Sequence, residues 1–278
     1  VGPGRTAVLD GTDIAAGGNR AAGTGPARPS LRPMTRGESV TFDRIAADYD
    51  ATRGGLERGQ RIAAGVVDWL RPGPVVEVGV GTGVIARELV DRGHGVVGVD
   101  LSLPMLTRAH ARLGSCIAVG DGYRLPLRPR SVPNALTVWV TQLVPDVGAF
   151  LASVGEVVAP RGRLVIVPAG IQTDRDEIDR VVRPMAEVLR PQRDGPDQLA
   201  ALAEGADLRV VERATTGDGV WSISPAEQAD QIAARSWSML WDLPDDVWDE
   251  IVVPTIAALR ALPEPDRRRD RAGRNDVV

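Results

Sequence analysis

The stretch Val75-Val-Glu-Val-Gly-Val-Gly-Thr-Gly83 limits the fold of this 278-residue chain more than any other. A run of β-branched residues between Pro74 and a glycine cluster reads as a strand buried on both faces, the kind found in parallel sheets. Three glycines at alternate positions then let the backbone pass close to a ligand before a helix begins. Glu77 is the anomaly. A carboxylate inside a buried strand needs a partner, so the stretch implies a site as well as a fold.

The chain continues the alternation that this strand begins. Phe42, Ile45, Ala46 and Tyr49 recur at helical spacing, as do Ile62, Val66 and Leu70, so two helices precede the first strand. Residues 84–92 read as a helix stopped by Gly93, and 96–100 as a second strand. Ser102 caps a helix through Leu113 that closes at Gly114. Third, fourth and fifth strands are expected over 117–119, 135–140 and 164–167. A helix over 147–158 ends in the turn Ala159-Pro-Arg-Gly162 before the last of these. Strands separated by helices predict an α/β fold: a doubly wound, mostly parallel sheet with N-terminal helices and a helical C-terminal decoration.

Beyond Pro168 the pattern loosens into helical stretches over 177–189 and 198–204, a sixth strand over 208–212, and helices over 224–262 that hold Trp237, Trp241 and Trp248. Residues 264–275 read as a charged, solvated segment, which leaves Asp276-Val-Val278 as a very short or truncated final strand. Residues 1–33, rich in Gly, Ala, Pro and Arg and without an aromatic residue, read as a disordered tail, with Met34 as an alternative start. A single domain over 34–278 is expected, with residues 41–168 binding the ligand and 169–278 covering it.

Composition narrows the function. With 43% hydrophobic residues and a net charge of −4, nothing draws the chain as a whole toward nucleic acid or an anionic membrane. No apolar run is long enough to span a bilayer, and the N-terminus lacks the apolar centre of a secretory signal. The single cysteine, Cys116, forms no intrachain disulfide and is expected to pack at the start of the third strand; its solitude fits a cytoplasmic location. All 33 cationic side chains are arginine, which rules out a lysine nucleophile. Two separated histidines, His94 and His110, and one cysteine make no metal-ligand spacing. The arginines of 267–271 are interleaved with acids and read as solvated rather than as a nucleic-acid surface.

The glycine spacing is G-x-G-x-G, with Val84 where a dinucleotide fingerprint would place its third glycine. Glu77 is a poor neighbour for a pyrophosphate and a good one for an ammonium group. Asp100 ends the second strand 21 positions after Gly79 (100 − 79), where a carboxylate accepts from ribose hydroxyls. A ribose without adjoining phosphates is implied, which disfavours an NAD-dependent oxidoreductase.

Glu77-Val-Gly-Val-Gly-Thr-Gly83, Val99-Asp-Leu-Ser102, Gly120-Asp-Gly-Tyr-Arg-Leu-Pro126 and Pro160-Arg-Gly-Arg-Leu164, in this order, resemble the class I S-adenosylmethionine-dependent methyltransferases, in particular the small-molecule type, over about residues 42–168. The resemblance implies that Gly79, Gly81 and Gly83 pass the methionine part of S-adenosylmethionine, with Glu77 orienting the loop or meeting the amino group. Asp100 would bind the ribose, Leu101 and Met105 would flank the adenine, and Asp121 would accept from its amino group beside Gly122. Tyr49, Asp50 and Arg53 match the family's N-terminal helix, with Arg53 against the methionine carboxylate, and the resemblance places Tyr49 and Val140, the last residue of the fourth strand, among the cofactor-binding residues.

The acceptor side is less determined. Where related chains carry one or two histidines before a Leu-Pro-Asp-like turn, this one has Gln142 and Leu143, and Gln142 orients a substrate but takes no proton. No catalytic base is assigned. Trp139 points into the sheet or toward the pocket, and Trp237 and Trp241 are either core or an aromatic substrate wall. The expected partner is a small-molecule methyl acceptor, with a non-catalytic S-adenosylmethionine-binding protein as the alternative; oligomeric state is open.

Overall fold

The computed structural model describes residues 42–169, 176–189 and 195–278, with the backbone alone described over 217–220 and 272–274. The expected tail over 1–33 and the alternative start at Met34 lie outside the described residues. Two helices, α1 (Tyr49–Thr52) and α2 (Gly55–Val66), lead to β1 (Val75–Val78), all four residues of which are buried. There follow α3 (Val84–Asp91), β2 (Val96–Asp100), α4 (Leu103–Leu113), β3 (Ile117–Val119), β4 (Val132–Val138), α5 (Val147–Val157) and β5 (Val158–Val167).

These five strands lie parallel in the order β3-β2-β1-β4-β5. Alternate valines explain why both faces are covered. Val75 packs with Ile62, Leu89 and Leu106 from α2, α3 and α4 on one face. Val76 and Val78 pack with Phe150, Leu151 and Val154 from α5 on the other. The doubly wound sheet expected from the valine runs is therefore present. Ser102 caps α4 as expected, its hydroxyl accepting from the Met105 amide at 3.2 Å.

The turn expected over 159–162 lies within β5. The strand begins at Val158, with Arg161 at φ +65° and a register shift opposite Val132 and Asn134. Cys116 is exposed rather than packed. His94 stands at the amino end of β2 with Nδ1 3.0 Å from the Gly73 carbonyl oxygen, and His110 is exposed on α4.

The C-terminal part holds α6 (Glu177–Leu189), α7 (Pro196–Glu204), β6 (Ala214–Ile223), α8 (Pro225–Ala233), α9 (Asp245–Val247), a π turn over Trp248–Val252, α10 (Val253–Arg260) and β7 (Arg269–Val277). Ile178, Met185, Ile232, Leu240, Val252 and Leu259 make a separate apolar cluster among these helices. No helix among the described residues is long and apolar enough to cross a membrane.

Two expectations for this part are corrected. Residues 208–212 are not a strand: Leu208 and Val210 instead pack against the apolar layer of α5, and the strand starts at Ala214. The charged segment 264–275 is solvated only in part: Glu264, Asp266, Arg267, Arg268 and Asp270 are exposed, but from Arg269 onward it forms β7, which pairs antiparallel with β6 and buries Arg271 and Asn275. Main-chain hydrogen bonds in both directions between Ile166 and Val278, at 2.9 and 3.0 Å, attach the end of this ribbon to β5. The arginines are spent on carboxylates: Arg267 on Glu264, Arg268 on Glu227, Arg269 on Glu177, and Arg271, only 5% exposed, on Asp176 and Asp179.

Ser224 links ribbon to helix. Its hydroxyl accepts from the Glu227 amide at 3.1 Å, and the Glu227 carboxylate accepts from the Ser224 amide at 2.8 Å. Such a reciprocal cap is worth about 1 kcal/mol. Ser224→Ala is therefore expected to lower the melting temperature by about 2–4 °C in a calorimetric scan.

Candidate functional site

The sheet order reverses between β1 and β4, and a cavity of about 460 Å³ opens beyond the carboxyl ends of these strands. This is where ligands of open parallel sheets bind. The floor is the glycine loop. Gly79, Gly81 and Gly83 all have positive φ, at +78°, +56° and +78°. A side chain on Gly81 would project into open space with nothing within 4 Å, so the glycine there leaves room that the protein itself does not fill. Gly79 lies against the Val140 side chain, and Gly83 caps α3 against Ala109 and Leu113 of α4. Gly79 and Gly81 thus line the cavity, whereas Gly83 serves helix packing.

Asp100, at the end of β2, holds this loop in place. One carboxylate oxygen accepts from the Gly81 amide at 2.8 Å and the other from the Ser102 amide at 2.8 Å. Burial raises its pKa, while the amides of Ser102, Gly81 and Leu101 pull it back down. Each oxygen keeps a lone pair for a ligand. Leu101 and Met105 line the cavity beside it, as do Asp121 and Gly122. Asp121 accepts from the Tyr123 amide at 2.9 Å, and a side chain on Gly122 would come within 2.6 Å of the Phe150 ring. The backbone after β3 can lie this deep only with glycine there.

Glu77 is 2% exposed and stands behind the loop, lining a smaller cavity of about 50 Å³ that it shares with Tyr49, Arg53, Gly79 and Gly81. One carboxylate oxygen has no hydrogen-bond partner. Desolvation, then the charge of Asp100, push its pKa up to about 8, against a lowering contribution from the Ala86 amide of α3.

From the N-terminal side, Tyr49, Arg53 and Arg58 line the main cavity. Burial raises the Tyr49 pKa and lowers that of Arg53. The Arg53 guanidinium donates to the Ser236 carbonyl, tying α1 to the C-terminal part. Asp50 lines the smaller cavity with Glu77 but not the main one; it accepts from the Thr82 hydroxyl and, at 2.6 Å, from Arg112.

Trp139 follows β4 in the left-handed region, at φ +54°, which is uncommon for a bulky residue and occurs at functional sites. Its side chain lines the cavity, with the Arg58 guanidinium 3.6 Å from the ring centre. Gln142 and Trp237 also line it. Trp241 does not: it is 7% exposed, stacks edge-on with Phe42 at 5.1 Å and donates from its indole to the Arg235 carbonyl at 2.8 Å. The substrate-wall expectation thus divides between two tryptophans four residues apart, because a 3₁₀ turn over Ser238–Leu240 separates them. Sequence reasoning missed Arg58, Met239 and Asn275, all of which line the cavity and none of which carries a motif.

The residues fit the cofactor that the resemblance implies. A cradle open beside Gly81, a carboxylate with spare acceptor capacity at Asp100 and a buried, half-partnered carboxylate at Glu77 match a ribose and an ammonium group rather than a phosphate chain.

Comparisons with known proteins agree. A family model described as a methyltransferase domain matches residues 76–166. A demethylmenaquinone methyltransferase of Corynebacterium kroppenstedtii is 34% identical over 145 residues, covering 50% of this chain and 63% of that protein. The chain thus spans less than two thirds of that relative. A demethylmenaquinone methyltransferase of Streptomyces griseus is 28% identical over 229 residues, 73% of this chain and 99% of that one. Among solved structures, a possible histamine N-methyltransferase of Thermotoga maritima superposes with a TM-score of 0.51 at 20% identity, over 85% of this chain and 96% of that one. A putative methyltransferase from an antibiotic biosynthesis pathway of Anabaena variabilis does so at 0.54 and 15%, over 78% and 96%. At these identities the structures show the fold alone. The family model, the relatives and the glycine-loop site agree that this part of the chain, residues 76–166, is similar to a methyltransferase domain.

Proposed function

We propose that this protein transfers the methyl group of S-adenosylmethionine to a small-molecule acceptor held in the same cavity. The observation that carries this reading is one cavity lined both by Asp100 and Asp121 and by Trp139, Trp221 and Trp237. A nucleoside and a flat acceptor would occupy adjoining seats. Two relatives named for demethylmenaquinone support a small-molecule acceptor.

Once bound, the cofactor supplies an electrophilic methyl group on a positive sulfur. The chain supplies binding, alignment and dryness. Asp100 accepts from the ribose hydroxyls with the lone pairs that Gly81 and Ser102 leave free. Asp121 faces the adenine amino group, reached over Gly122, with Leu101 and Met105 flanking the ring. Glu77 meets the amino group of the methionine part, Arg53 its carboxylate, and Tyr49 and Val140 close that end. Holding both partners at near-attack distance can lower the barrier by roughly 7–11 kcal/mol.

Neither histidine of the chain lines the cavity, and Gln142 cannot act as a base. The acceptor that suits this site is nucleophilic without a histidine's help: an amine nitrogen, a thiolate or a stabilised carbanion. On this reading residues 41–168 hold the cofactor, residues 169–278 complete the acceptor seat, and the reaction takes place in the cytoplasm.

The second reading is a protein that binds S-adenosylmethionine without turnover, favoured by Gln142 at the place of a base. Incubation with methyl-labelled S-adenosylmethionine and a metabolite extract of the host decides between them. Label should appear in an acceptor of the small-molecule fraction; tight cofactor binding with no label transferred would overturn the first reading in favour of the second.

A further inference from the structure

Two amide side chains in the cavity each have one end fixed and the other end unsatisfied. Gln142 donates through Nε2 to the Trp139 carbonyl, and its buried Oε1 has no hydrogen-bond partner. Asn275, 4% exposed on β7, accepts through Oδ1 from the Trp139 indole at 3.2 Å, and its buried Nδ2 has none. Both residues line the main cavity. The fixed ends settle which way each amide points, because a carbonyl oxygen can only accept and an indole N–H can only donate. What remains is one acceptor and one donor, held to the same tryptophan and buried.

A buried polar group left without a partner is destabilising, so a ligand that satisfies both atoms recovers that cost, and one that satisfies neither is rejected. The pair reads polarity rather than charge, since neither amide ionises. Phe42, Trp221, Trp237 and Met239 supply flat or polarisable surface around it.

Resting on the methyl-transfer reading above, we propose that Gln142 and Asn275 select the acceptor. Its seat takes a planar molecule that presents, besides its nucleophilic atom, a hydrogen-bond donor to Gln142 Oε1 and an acceptor atom to Asn275 Nδ2, as the N–H and C=O of a ring lactam do. Trp139 acts as the positioning residue that aims both amides.

The test uses the whole protein saturated with S-adenosylhomocysteine and two probes, 2-quinolone and 1-methyl-2-quinolone, with affinities read from tryptophan fluorescence and saturation-transfer NMR. The methyl on nitrogen removes the donor and keeps the carbonyl. Wild-type protein should bind 2-quinolone at least about tenfold more tightly than the methylated probe. Gln142→Met should abolish that preference. Asn275→Asp keeps the acceptor for the Trp139 indole and removes the donor, so it should weaken both probes about tenfold. S-adenosylhomocysteine affinity, measured by calorimetry, should stay within about threefold in both variants, which also reports that they are folded. Equal binding of the two probes to wild-type protein, or an undiminished preference in Gln142→Met, overturns the amide pair. Failure of wild-type protein to bind S-adenosylhomocysteine overturns instead the functional reading beneath it.

Discussion

Asp100→Ala should weaken S-adenosylhomocysteine binding by about 100- to 1000-fold in titration calorimetry while the far-ultraviolet circular dichroism of the protein stays unchanged. The carboxylate has two duties. It accepts from the amides of Gly81 and Ser102, which fixes the glycine loop relative to the start of α4. Its remaining lone pairs face the cavity, where the ribose is proposed to lie. Hydrogen bonds to a charged acceptor are worth about 1.5–3 kcal/mol each, and two at the low end of that range, about 1.5–2 kcal/mol each, cost about 3–4 kcal/mol when lost, which is the stated range of affinity. Asp100→Asn keeps one acceptor oxygen and should fall between. The fold should tolerate either change, because the strand around Asp100 is held by Val96, Val99 and its ladder to β1. An affinity within threefold of wild type for the alanine variant would remove the ribose from this carboxylate.

How much of this was legible in the sequence follows from what each element buries. The strands β1, β2 and β4 could be read because sheet centres are built from runs such as Val75–Val78, whose apolar character is local. Glu77 and Asp100 stood out for the same reason, as carboxylates within or ending such runs. The ribbon of β6 and β7 could not be read. Its strands, Ala214–Ile223 and Arg269–Val277, are rich in polar residues and glycine, and they are held largely by each other and by ion pairs, with Ile223 and Val277 at their ends reaching the apolar clusters. Arg271 shows the difficulty: its burial depends on Asp176 and Asp179, more than 90 positions away, which no local pattern reports. Asn275 was hidden in the same segment. Leu208 and Val210 misled in the opposite direction, since two apolar residues alternating with polar ones fit a strand but here plug the layer under α5.

Glu77→Gln should change both cofactor affinity and stability, in opposite directions, with both effects growing as pH rises toward and through 8. In the free protein, burial and the neighbouring Asp100 raise the Glu77 pKa to about 8, so at pH 7 most of the population carries a neutral carboxyl. A cofactor ammonium needs the carboxylate. Binding of S-adenosylhomocysteine should therefore release close to one proton per molecule at pH 6.5–7, measured as the dependence of the binding enthalpy on buffer ionisation. Affinity should rise between pH 6 and 7.5 by at most about tenfold per unit. 5′-Methylthioadenosine, which lacks the amino group, should show neither effect. In Glu77→Gln the proton release should vanish and affinity at pH 7.5 should fall by about 10- to 100-fold. Stability moves the other way. The folded-state pKa lies above the ordinary value of 4.5, so the folded protein holds the proton more tightly than the unfolded chain does. The corresponding stabilisation is complete below about pH 4.5 and is lost as pH rises through 8. Glutamine carries no charge to bury. The variant without ligand should therefore be more stable than wild type at pH 9, by about 2–4 kcal/mol in urea unfolding, with the difference closing toward pH 5. A wild-type protein whose stability did not fall between pH 5 and 9 relative to the variant would show that Glu77 is ionised in the free state, and the proton release on binding would then be absent as well.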